Sequence, residues 1–320
     1  MTQAFVLGAG LGTRLRPLTD QLPKPLIPVC HQPLISHAFE HLRRAGAREF
    51  IVNTHHLAGA YTKAFPESQH KGLPITFRHE PVLLDTAGGI ANIADLIRGE
   101  SFVVYNGDIL TDLPLAPLWE HHQASGNLVT LALRSEGPGQ HIARDSGTGR
   151  LTDIRNLLGT GQHGTHQFTG IYAVHPAFLK HLTPGKIESV IPIFLSLIQS
   201  GTPIGSVVVD EGSWWDLGDR TQYLEAHRAI FSEGDTFPAY APEARTSWNP
   251  VHPDAHVHPS ATLRGFNLIS QQAQVGQNAA LEDCLLWPGA RVAPGAVLRR
   301  CIVRSGMEPM VNWPTPMSNL

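Results

Sequence analysis

The residues with the clearest capacity for chemistry lie in one stretch near the N-terminus, between Val6 and Pro25. Three glycines alternate there, and glycine allows a phosphate to approach main-chain N–H groups closely. Arg14 follows with a planar fork of donors that suits phosphate oxygens, and Lys24 adds a point charge between two prolines. The stretch therefore predicts a cradle for a nucleoside triphosphate. Its alternating glycines are Gly8, Gly10 and Gly12.

Other glycine motifs do not account for this stretch. A Walker loop requires GxxxxGK[ST], and no lysine follows these glycines directly. A dinucleotide fingerprint requires GxGxxG, whereas this sequence has GxGxG followed by Thr13 and Arg14. The alternative is an ordinary strand-to-helix turn with surface arginines. The Pro-Lys-Pro spacing behind Arg14 favours the phosphate cradle.

Two aspartates are candidates for binding a metal ion. Asp108 follows an apolar run at residues 101–105, and Asp216 follows two tryptophans. Carboxylates at strand ends can hold Mg²⁺ against phosphate oxygens. The competing interpretation is an Asx turn or a helix N-cap. In the helix predicted over residues 219–231, Asp219 is the expected cap, which leaves Asp216 free for a metal.

The elements that must position these residues alternate between strands and helices. This alternation predicts an α/β fold with a Rossmann-like, doubly wound, mostly parallel sheet. Ligands bind such sheets outside the carboxyl ends of the strands, where the glycine loop and Asp108 both fall. The predicted strands cover residues 4–7, 49–53, 73–78, 101–105 and 167–174, and the predicted helices cover residues 33–45, 57–65, 86–97 and 219–231.

The run GAGLGTRLRPLTDQLPKPLIPV, at residues 8–29, resembles the signature of the sugar-1-phosphate nucleotidyltransferases. The resemblance implies a fold of the nucleotide-diphospho-sugar transferase type. It also implies that residues 8–14 wrap the triphosphate and that Arg14 and Lys24 are catalytic. The implied nucleotide-binding residues are Leu7, Gly8, Ala9, Gly10, Gly12, Thr13, Arg14, Asp85, Thr86, Gly88 and Gly107.

Further motifs carry the same resemblance. FVVYNGD at residues 102–108 and WWDLGDRTQYLEA at residues 214–226 look like the two family motifs whose aspartates bind metal. The resemblance therefore implies that Asp108 and Asp216 hold Mg²⁺ as the cofactor. QFTGIYAV at residues 167–174 is similar to a strand that lines the family's sugar pocket. The implied sugar-binding residues are Asn106, Thr169, Gly170 and Glu188.

Residues 85–89 open a helix, whose N-terminus can bind an anion and whose glycines let a flat base approach the backbone. The resemblance implies that this segment receives the nucleobase. Asp85 stands where many uridylyl- and thymidylyltransferases of the family carry glycine, which leaves the base open. The family's EKP lysine has no counterpart in residues 151–158, where Arg155 is the candidate to replace it. The N-acetylmuramate-1-phosphate uridylyltransferases and the mannose-1-phosphate guanylyltransferases are the types that this chain resembles most.

The sequence changes character past residue 232. Residues 1–232 are the expected catalytic domain, and the proline-rich residues 233–250 are the expected linker. Over residues 251–306 apolar residues recur every six positions, and a longer echo relates Leu281 to Leu298. This pattern predicts a short left-handed parallel β-helix of hexapeptide repeats, before a tail at residues 307–320.

The β-helix is expected to serve as a structural or oligomerisation module, as in the larger mannose-1-phosphate guanylyltransferases. An acyltransferase is the alternative, but it would need more coils and a catalytic histidine. His252, His256 and His258 lie near the start of the repeat, where they are expected to decorate its first turns. Zinc binding by their HxxxHxH spacing is the other interpretation.

Composition argues against several classes of protein. A net charge of −3 argues against nucleic acid or an anionic membrane surface as the main partner. The sequence contains no apolar run of membrane-spanning length and no secretory signal pattern. Three cysteines without a CxxC motif fit a reducing cytoplasm, which is the expected location.

The combined expectation is an enzyme that takes UTP or GTP and a sugar 1-phosphate and releases pyrophosphate. N-Acetylmuramate 1-phosphate and mannose 1-phosphate are the leading sugars, for precursors of cell wall or surface polysaccharide. A homo-oligomer formed through the β-helix is also expected. The alternatives are a catalytically silent regulatory homologue that binds nucleotide sugars, and a molybdopterin nucleotidyltransferase, whose signature lacks the PLT and PKP spacing.

Overall fold

A computed structural model describes residues 1–232 and 249–306, which form two compact units. Unit 1 comprises Met1–Ile27 and Leu34–Asp216, and unit 2 comprises Pro28–Pro33 with the described chain from Leu217 onward. The predicted linker lies outside the described residues except for Asn249 and Pro250, and the predicted tail lies wholly outside them. The functional division between residues 1–232 and 251–306 stays a prediction.

Numbered in chain order, the strands are β1 Gln3–Leu7, β2 Pro28–Val29, β3 Gln32–Pro33, β4 Glu49–Thr54, β5 Gln69–His70, β6 Leu73–His79, β7 Phe102–Asn106, β8 Ile109–Thr111, β9 Val129–Arg134, β10 Gln140–Arg144, β11 Leu151–Ile154, β12 His166–Val174, β13 Ile204–Val208, β14 Trp214–Asp216, β15 His256–Val257, β16 Thr262–Ile269, β17 Gln274–Val275, β18 Ala280–Leu286, β19 Arg291–Val292, β20 Val297–Arg299 and β21 Ile302–Val303. The α-helices are α1 Leu34–Arg44, α2 Gly59–Ala64, α3 Asp85–Asn92, α4 Ala116–Ser125, α5 Val190–Gln199 and α6 Arg220–Ser232.

Unit 1 is built on a ten-stranded sheet whose main path is β11-β10-β12-β7-β1-β4-β6-β5. Strands β7, β1, β4 and β6 are parallel neighbours, with β1 between β4 and β7. The chain therefore leaves β1 toward one edge and later returns on its other side, which creates a topological switch point at β1. The carboxyl ends of β1 and β7 meet there.

The prediction of a mostly parallel sheet is correct for this central part and for β9 and β13, which also pair in parallel. Strand β12 runs antiparallel to β7 and to β9, and β10 runs antiparallel to β11 and β12. These strands return through turns and short connections rather than through crossover helices, so their directions alternate. The sheet is mixed, and the fold is α/β with a parallel centre.

Helices cover both faces of the sheet, because neighbouring side chains of β1 pack into two different hydrophobic clusters. Val6 packs into a cluster that contains Phe39 of α1, whereas Phe5 packs into a second cluster with Ile90 of α3 and Phe194 of α5. Successive side chains of a strand point to opposite faces, so one buried strand contributes side chains to two hydrophobic cores. This doubly wound arrangement holds the strand ends of the site rigidly.

Unit 2 contains a stack of parallel strands at its C-terminal end. One ladder joins β15, β17 and β19, and a second joins β16, β18 and β20, with β21 also beside β18. Leu263 pairs with Leu281, and Leu281 pairs with Leu298, so the chain returns to the same place after 18 and then 17 residues. The predicted echo therefore corresponds to neighbouring coils of a parallel stack.

Most of the six-residue repeat points into the core of this stack. The buried repeat positions are Ile269, Val275, Leu281, Leu286, Val292 and Leu298. Leu263 departs from the pattern with 38% of its surface exposed. It lies on the first coil, which has a neighbouring coil on one side only.

Helix α6 belongs to unit 2 and packs within it. The Tyr223 hydroxyl of α6 donates to the carbonyl oxygen of Pro28 and accepts from Nε1 of Trp287 at 3.1 Å. The side chain of Asp219 accepts from the backbone N–H of Gln222 at 2.9 Å, which confirms Asp219 as the cap of this helix.

No helix within residues 1–232 and 249–306 combines the length and the apolar composition needed to cross a bilayer.

A cluster of basic side chains surrounds the buried carboxylate of Glu40 on α1. Arg43 Nη2 lies 2.8 Å from Oε1, and Lys71 Nζ lies 3.3 Å from Oε2. Burial by itself would raise the pKa of Glu40, but the hydrogen bond from Arg43 and the charges of Lys71 and Arg43 outweigh it. The net effect lowers the pKa to about 2 from an ordinary value of 4.5.

We expect Glu40 to stabilise unit 1 at neutral pH and to lose that effect as the pH falls from 4.5 toward 2, because the unfolded chain then binds a proton at this carboxylate while the folded protein keeps it ionised. Glu40→Gln should lower the free energy of unfolding by about 1.5–3 kcal/mol at neutral pH, and by less near pH 3. Urea unfolding measures both values, with the exposed Glu120→Gln as control. An equal loss at both pH values would contradict the assignment.

Candidate functional site

The carboxyl ends of β1 and β7 lie side by side at the switch point. The backbone N–H of Gly107 donates to the carbonyl oxygen of Leu7 at 3.0 Å. A Cβ at Gly107 would lie 2.6 Å from that same oxygen, so only glycine allows the two strand ends to approach this closely. The glycine loop after Leu7 and the aspartate after Gly107 are thereby brought to one edge of the sheet.

Four charged residues that the sequence singled out converge at this edge. Lys24 Nζ lies 2.9 Å from Asp108 Oδ2 and 3.1 Å from Asp216 Oδ1. Arg14 Nη2 lies 3.7 Å from Asp216 Oδ2. The Lys24 side chain is almost fully buried, with 6% of its surface exposed, whereas the two aspartates are partly open to solvent. A buried cation is therefore clamped between two accessible carboxylates.

Local structure explains why the two aspartates meet. Asp216 ends the short strand β14, which runs antiparallel to β8 and places Asp216 opposite Ile109, the neighbour of Asp108. Lys24 begins a 3₁₀ turn, Lys24–Leu26, and its preceding proline fixes the backbone in an extended conformation. The two aspartates are 108 residues apart in sequence, and the pairing of β14 with β8 brings them together in space.

The two carboxylates fit a hard divalent cation. Asp108 and Asp216 aim one oxygen each at the same point, which the Lys24 ammonium fills. Within the described residues no group of three or more His, Cys, Asp or Glu side chains is placed to hold a metal ion. Mg²⁺ suits this set, because it is commonly held by one or two carboxylates and completes its shell with water and phosphate oxygens.

The glycine loop is fixed at its start and open at its tip. Gly8 is buried, and a Cβ there would lie 2.7 Å from the carbonyl oxygen of Asn53. Gly12 has a positive φ of 61°, and its carbonyl oxygen accepts from Thr19 Oγ1 at 2.9 Å. Gly10 is exposed, with no atom near the position of a Cβ. Ala9 is buried and Leu7 is partly buried, whereas Thr13 and Arg14 are exposed.

The segment at the start of α3 differs from its expected role in one respect. The backbone N–H groups of Ala87 and Gly88 donate to the carbonyl oxygen of Glu188 at 2.9 and 3.2 Å. A Cβ on Gly88 would lie 2.3 Å from the carbonyl oxygen of Lys186. Gly88 is therefore required for the approach of a neighbouring chain segment, and these N–H groups are not open donors for a ligand. The Thr86 hydroxyl is likewise used within the protein, because it accepts a hydrogen bond from the backbone N–H of Val190 at 2.8 Å.

Asp85 is exposed at the first position of α3. Its φ is 60°, and Oδ1 accepts from the backbone N–H of Thr86 at 2.6 Å. The carboxylate thus bonds to the next backbone N–H while it remains at the surface. A carboxylate in this place can present an acceptor to a ligand.

The residues expected to contact sugar fall into two groups. Gly170 lies beside Asn106 on the paired strands β12 and β7, and a Cβ there would lie 2.6 Å from Asn106 Nδ2. Glu188 is partly buried, and one oxygen accepts from Lys186 Nζ at 2.5 Å. Thr169 is different: it is fully buried, and its hydroxyl donates to the carbonyl oxygen of Ala132 at 2.8 Å. That hydroxyl is committed to the sheet, which gives Thr169 a structural role instead of a side-chain contact with sugar.

Three polar residues near the loop were missed by the sequence reasoning. Asn53 Oδ1 accepts from the backbone N–H of Gly8, and the Tyr61 hydroxyl donates to the carbonyl oxygen of Gly8. Glu80 is fully buried and accepts from Asn53 Nδ2. Their place in the sequence could have indicated Asn53 and Glu80, since both lie at the carboxyl ends of predicted parallel strands, where ligands bind.

Lys24 occupies the point where a divalent cation would bind, so replacing it should strengthen cation binding. We expect Lys24→Met to raise the affinity for Mn²⁺ or Mg²⁺ alone by about tenfold or more, because roughly 1.4 kcal/mol of competing attraction is removed. Calorimetric titration with the metal ion measures this affinity.

Arg16→Met is the matched control, since Arg16 pairs with Asp20 and not with the two aspartates. Unfolding midpoints should confirm that both variants fold. An unchanged affinity in Lys24→Met would show that the two carboxylates do not share one cation.

Comparison with known proteins identifies the family of this chain. Residues 3–141 match the family model described as nucleotidyl transferase. The chain is 29% identical over 299 residues to a mannose-1-phosphate guanylyltransferase of Mycobacterium tuberculosis, an alignment that covers 93% of this chain and 83% of the relative. Over 226 residues it is 30% identical to the N-acetylmuramate alpha-1-phosphate uridylyltransferase of Neisseria meningitidis, which covers 70% of this chain and 96% of the relative.

A solved structure shows the same fold. HddC from Yersinia pseudotuberculosis superposes with a TM-score of 0.60 and 20% sequence identity, over 72% of this chain and 100% of that protein. The family match includes the glycine loop and the strand that leads to Asp108. The chain is thus a nucleotidyltransferase and belongs to the sugar-1-phosphate nucleotidyltransferase family.

Proposed function

We propose that the protein transfers a nucleotidyl group from UTP or GTP to a sugar 1-phosphate, giving a nucleotide-diphospho-sugar and pyrophosphate. The convergence of Arg14, Lys24, Asp108 and Asp216 at the open end of the glycine loop is the observation that carries this proposal. Phosphoryl chemistry needs clustered cationic groups and carboxylates able to hold a divalent cation, and this edge of the sheet offers both.

In the proposed reaction, a phosphate oxygen of the sugar 1-phosphate attacks the α-phosphorus of the nucleotide in line. A new P–O bond forms, and the bond between the α-phosphorus and the bridging oxygen breaks to release pyrophosphate. Exposed Arg14 binds the β- and γ-phosphates and stabilises the leaving group, while Lys24 polarises the α-phosphate. Positioning and charge stabilisation suffice, so no covalent intermediate is required.

Asp108 and Asp216 would hold Mg²⁺ as the cofactor. When bound, the ion would neutralise charge on the phosphate oxygens and draw the two phosphates together. Lys24 would then shift part of its hydrogen bonding from the carboxylates to phosphate, which its flexible stem permits.

We assign the nucleotide to the loop at residues 7–14, to Gly107, and to the first turn of α3, where Asp85 faces solvent. Asn106, Gly170 and Glu188 would line the sugar side. Both UTP and GTP are retained, because the relatives quoted above include a guanylyltransferase and a uridylyltransferase. Mannose 1-phosphate and N-acetylmuramate 1-phosphate are accordingly the leading sugars, for precursors of cell wall or surface polysaccharide. No disulfide bond is found within the described residues, and we place the enzyme in the cytoplasm.

For the C-terminal stack we propose a left-handed β-helix of hexapeptide repeats. The 17- and 18-residue registers and the buried repeat positions support this assignment. We further propose that residues 1–232 carry the chemistry and that the stack serves oligomerisation. The second proposal can be tested at Val297, which pairs with Ala280 in the β16–β18–β20 ladder and has 63% of its surface exposed.

The proposed function predicts Mg²⁺-dependent release of pyrophosphate that requires both aspartates. Asp108→Asn and Asp216→Asn should each lower kcat by about 10²-fold or more, because each removes a charged cation ligand. Pyrophosphate release is measured for UTP, GTP, dTTP, CTP and ATP against mannose, N-acetylmuramate, glucose and N-acetylglucosamine 1-phosphates.

Asp145→Asn is a control, because Asp145 is an exposed turn residue that bonds to Thr148. Wild-type rates in either active-site variant would overturn the metal assignment. A folded wild-type protein that turns over none of these pairs would favour the silent regulatory homologue, whereas activity with molybdopterin would favour the molybdopterin nucleotidyltransferase.

The oligomerisation proposal predicts that introducing a charged side chain on the β16–β18–β20 ladder lowers the mass of the assembly in solution. Val297→Lys should shift the protein toward monomer in sedimentation equilibrium, since a lysine ammonium is costly to bury in an interface. Leu157→Lys is a matched control on unit 1, where Leu157 is 60% exposed. A wild-type protein that is monomeric, or a mass unchanged by Val297→Lys, would contradict this interface.

A further inference from the structure

A chain of buried hydrogen bonds lies beneath the glycine loop, apart from the charged residues of the site. The backbone N–H of Gly8 donates to Asn53 Oδ1 at 2.8 Å, and Asn53 Nδ2 donates to Glu80 Oε1 at 2.8 Å. The other Glu80 oxygen accepts from the backbone N–H of Leu84 at 3.1 Å. These four residues form a relay that links the ends of β1, β4 and β6 to the start of α3.

The relay is shielded from solvent. Asn53 is 2% exposed, and Glu80 has no exposed surface. None of the ion pairs within residues 1–232 and 249–306 includes Glu80. A buried carboxylate without a cationic partner costs free energy, and the cost is reduced here by two hydrogen bonds and by the N-terminus of α3. Such a group is not needed for packing, which an apolar side chain would supply at lower cost.

The charge of Glu80 determines which way the Asn53 amide faces. A carboxylate can only accept hydrogen bonds, so it requires the NH₂ group of Asn53 on its side. Asn53 Oδ1 then faces the glycine loop, where it accepts a hydrogen bond from the backbone N–H of Gly8. The direction of every hydrogen bond in the relay therefore follows from one ionised side chain.

Both nucleotide segments of the proposed site depend on this relay. Gly8 is held on its other side by the Tyr61 hydroxyl, which donates to the Gly8 carbonyl oxygen at 2.7 Å. Burial, and to a lesser degree the charge of Asp108, raise the pKa of Tyr61, so it remains a donor. Gly89 of α3 packs directly on the relay, because a Cβ there would lie 2.9 Å from Asn53 Nδ2 and 3.2 Å from Glu80 Oε1.

We propose that Glu80 and Asn53 are positioning residues for the nucleoside triphosphate. They touch neither substrate; they set the distance and orientation between the phosphate loop that begins at Gly8 and the base-side helix α3. The inference rests on the proposed function for the identity of the ligand. It assigns the relay to nucleotide binding. Asn106 and Gly170 on the sugar side are outside the relay, whereas Glu188 bonds to it through its backbone N–H, which donates to the Leu84 carbonyl oxygen at 3.0 Å.

The hydrogen-bond directions allow an exchange experiment. Glu80→Gln offers one acceptor where two donors arrive, so one donor must face another. Asn53→Asp places a carboxylate against the Glu80 carboxylate. In the double variant, the carboxylate introduced at position 53 accepts from Gly8 and from the amide NH₂ introduced at position 80, while the amide oxygen at position 80 accepts from Leu84. All three hydrogen bonds and the single negative charge are restored.

Steady-state kinetics and direct nucleotide titration test the proposal. We expect each single variant to raise the KM for the nucleotide at least about tenfold and to change the KM for the sugar 1-phosphate by less than about twofold. The double variant should recover to within about threefold of wild type. Glu49→Gln, at the other end of β4, is the matched control.

Unfolding midpoints of the same four proteins separate the possible failures. Recovery of stability in the double variant, with nucleotide KM unchanged throughout, would show that the relay is only structural and would overturn the proposal. Additive losses would show that the relay does not exist as described. A wild-type protein without turnover would refute the proposed function, while nucleotide titration and unfolding would still test the relay. If one single variant fails to fold, the nucleotide KM of the other single variant, compared with those of the double variant and wild type, decides the test.

Discussion

The site depends on the close approach of two parallel strand ends, and a missing side chain permits that approach. The Gly107 N–H bonds directly to the Leu7 carbonyl oxygen, where a Cβ would collide with the same atom. The glycine loop and Asp108 follow from this contact, and β14 then adds Asp216 through its pairing with β8. Lys24 lies between the carboxylates and offsets their mutual repulsion.

Backbone hydrogen bonds join the base side and the sugar side of the proposed site. The carbonyl oxygen of Glu188 accepts from two N–H groups in the first turn of α3, while Glu188 N donates to the Leu84 carbonyl oxygen. A helix start that could have been an anion site is thus occupied by the protein itself. Recognition of a base at this place must therefore use side chains such as Asp85 or the remaining carbonyl groups.

Buried polar groups hold the backbone at this edge of the sheet. Asn53, Glu80 and Tyr61 lie within unit 1 where apolar residues would pack at lower cost, and each one holds the backbone at Gly8 or at the start of α3 directly or through a neighbour. Fully satisfied networks of this kind favour one arrangement of the chain over its alternatives. A phosphate-binding loop requires such a rigid support beneath it, because its own glycines restrict the backbone little.

The sequence by itself determined the elements and the residue types of the site. Alternating apolar runs located the central strands, and glycine, arginine, lysine and aspartate in their motifs indicated phosphate and metal chemistry, because these signals are local. Tertiary structure alone decided that β12 returns antiparallel, that Thr169 turns its hydroxyl into the sheet, and that Gly88 accommodates the Lys186 carbonyl oxygen. It also supplied Asn53 and Glu80, whose partners lie far along the chain. Hydrogen bonds between distant segments leave no periodic trace in a sequence, so only the folded chain reveals them.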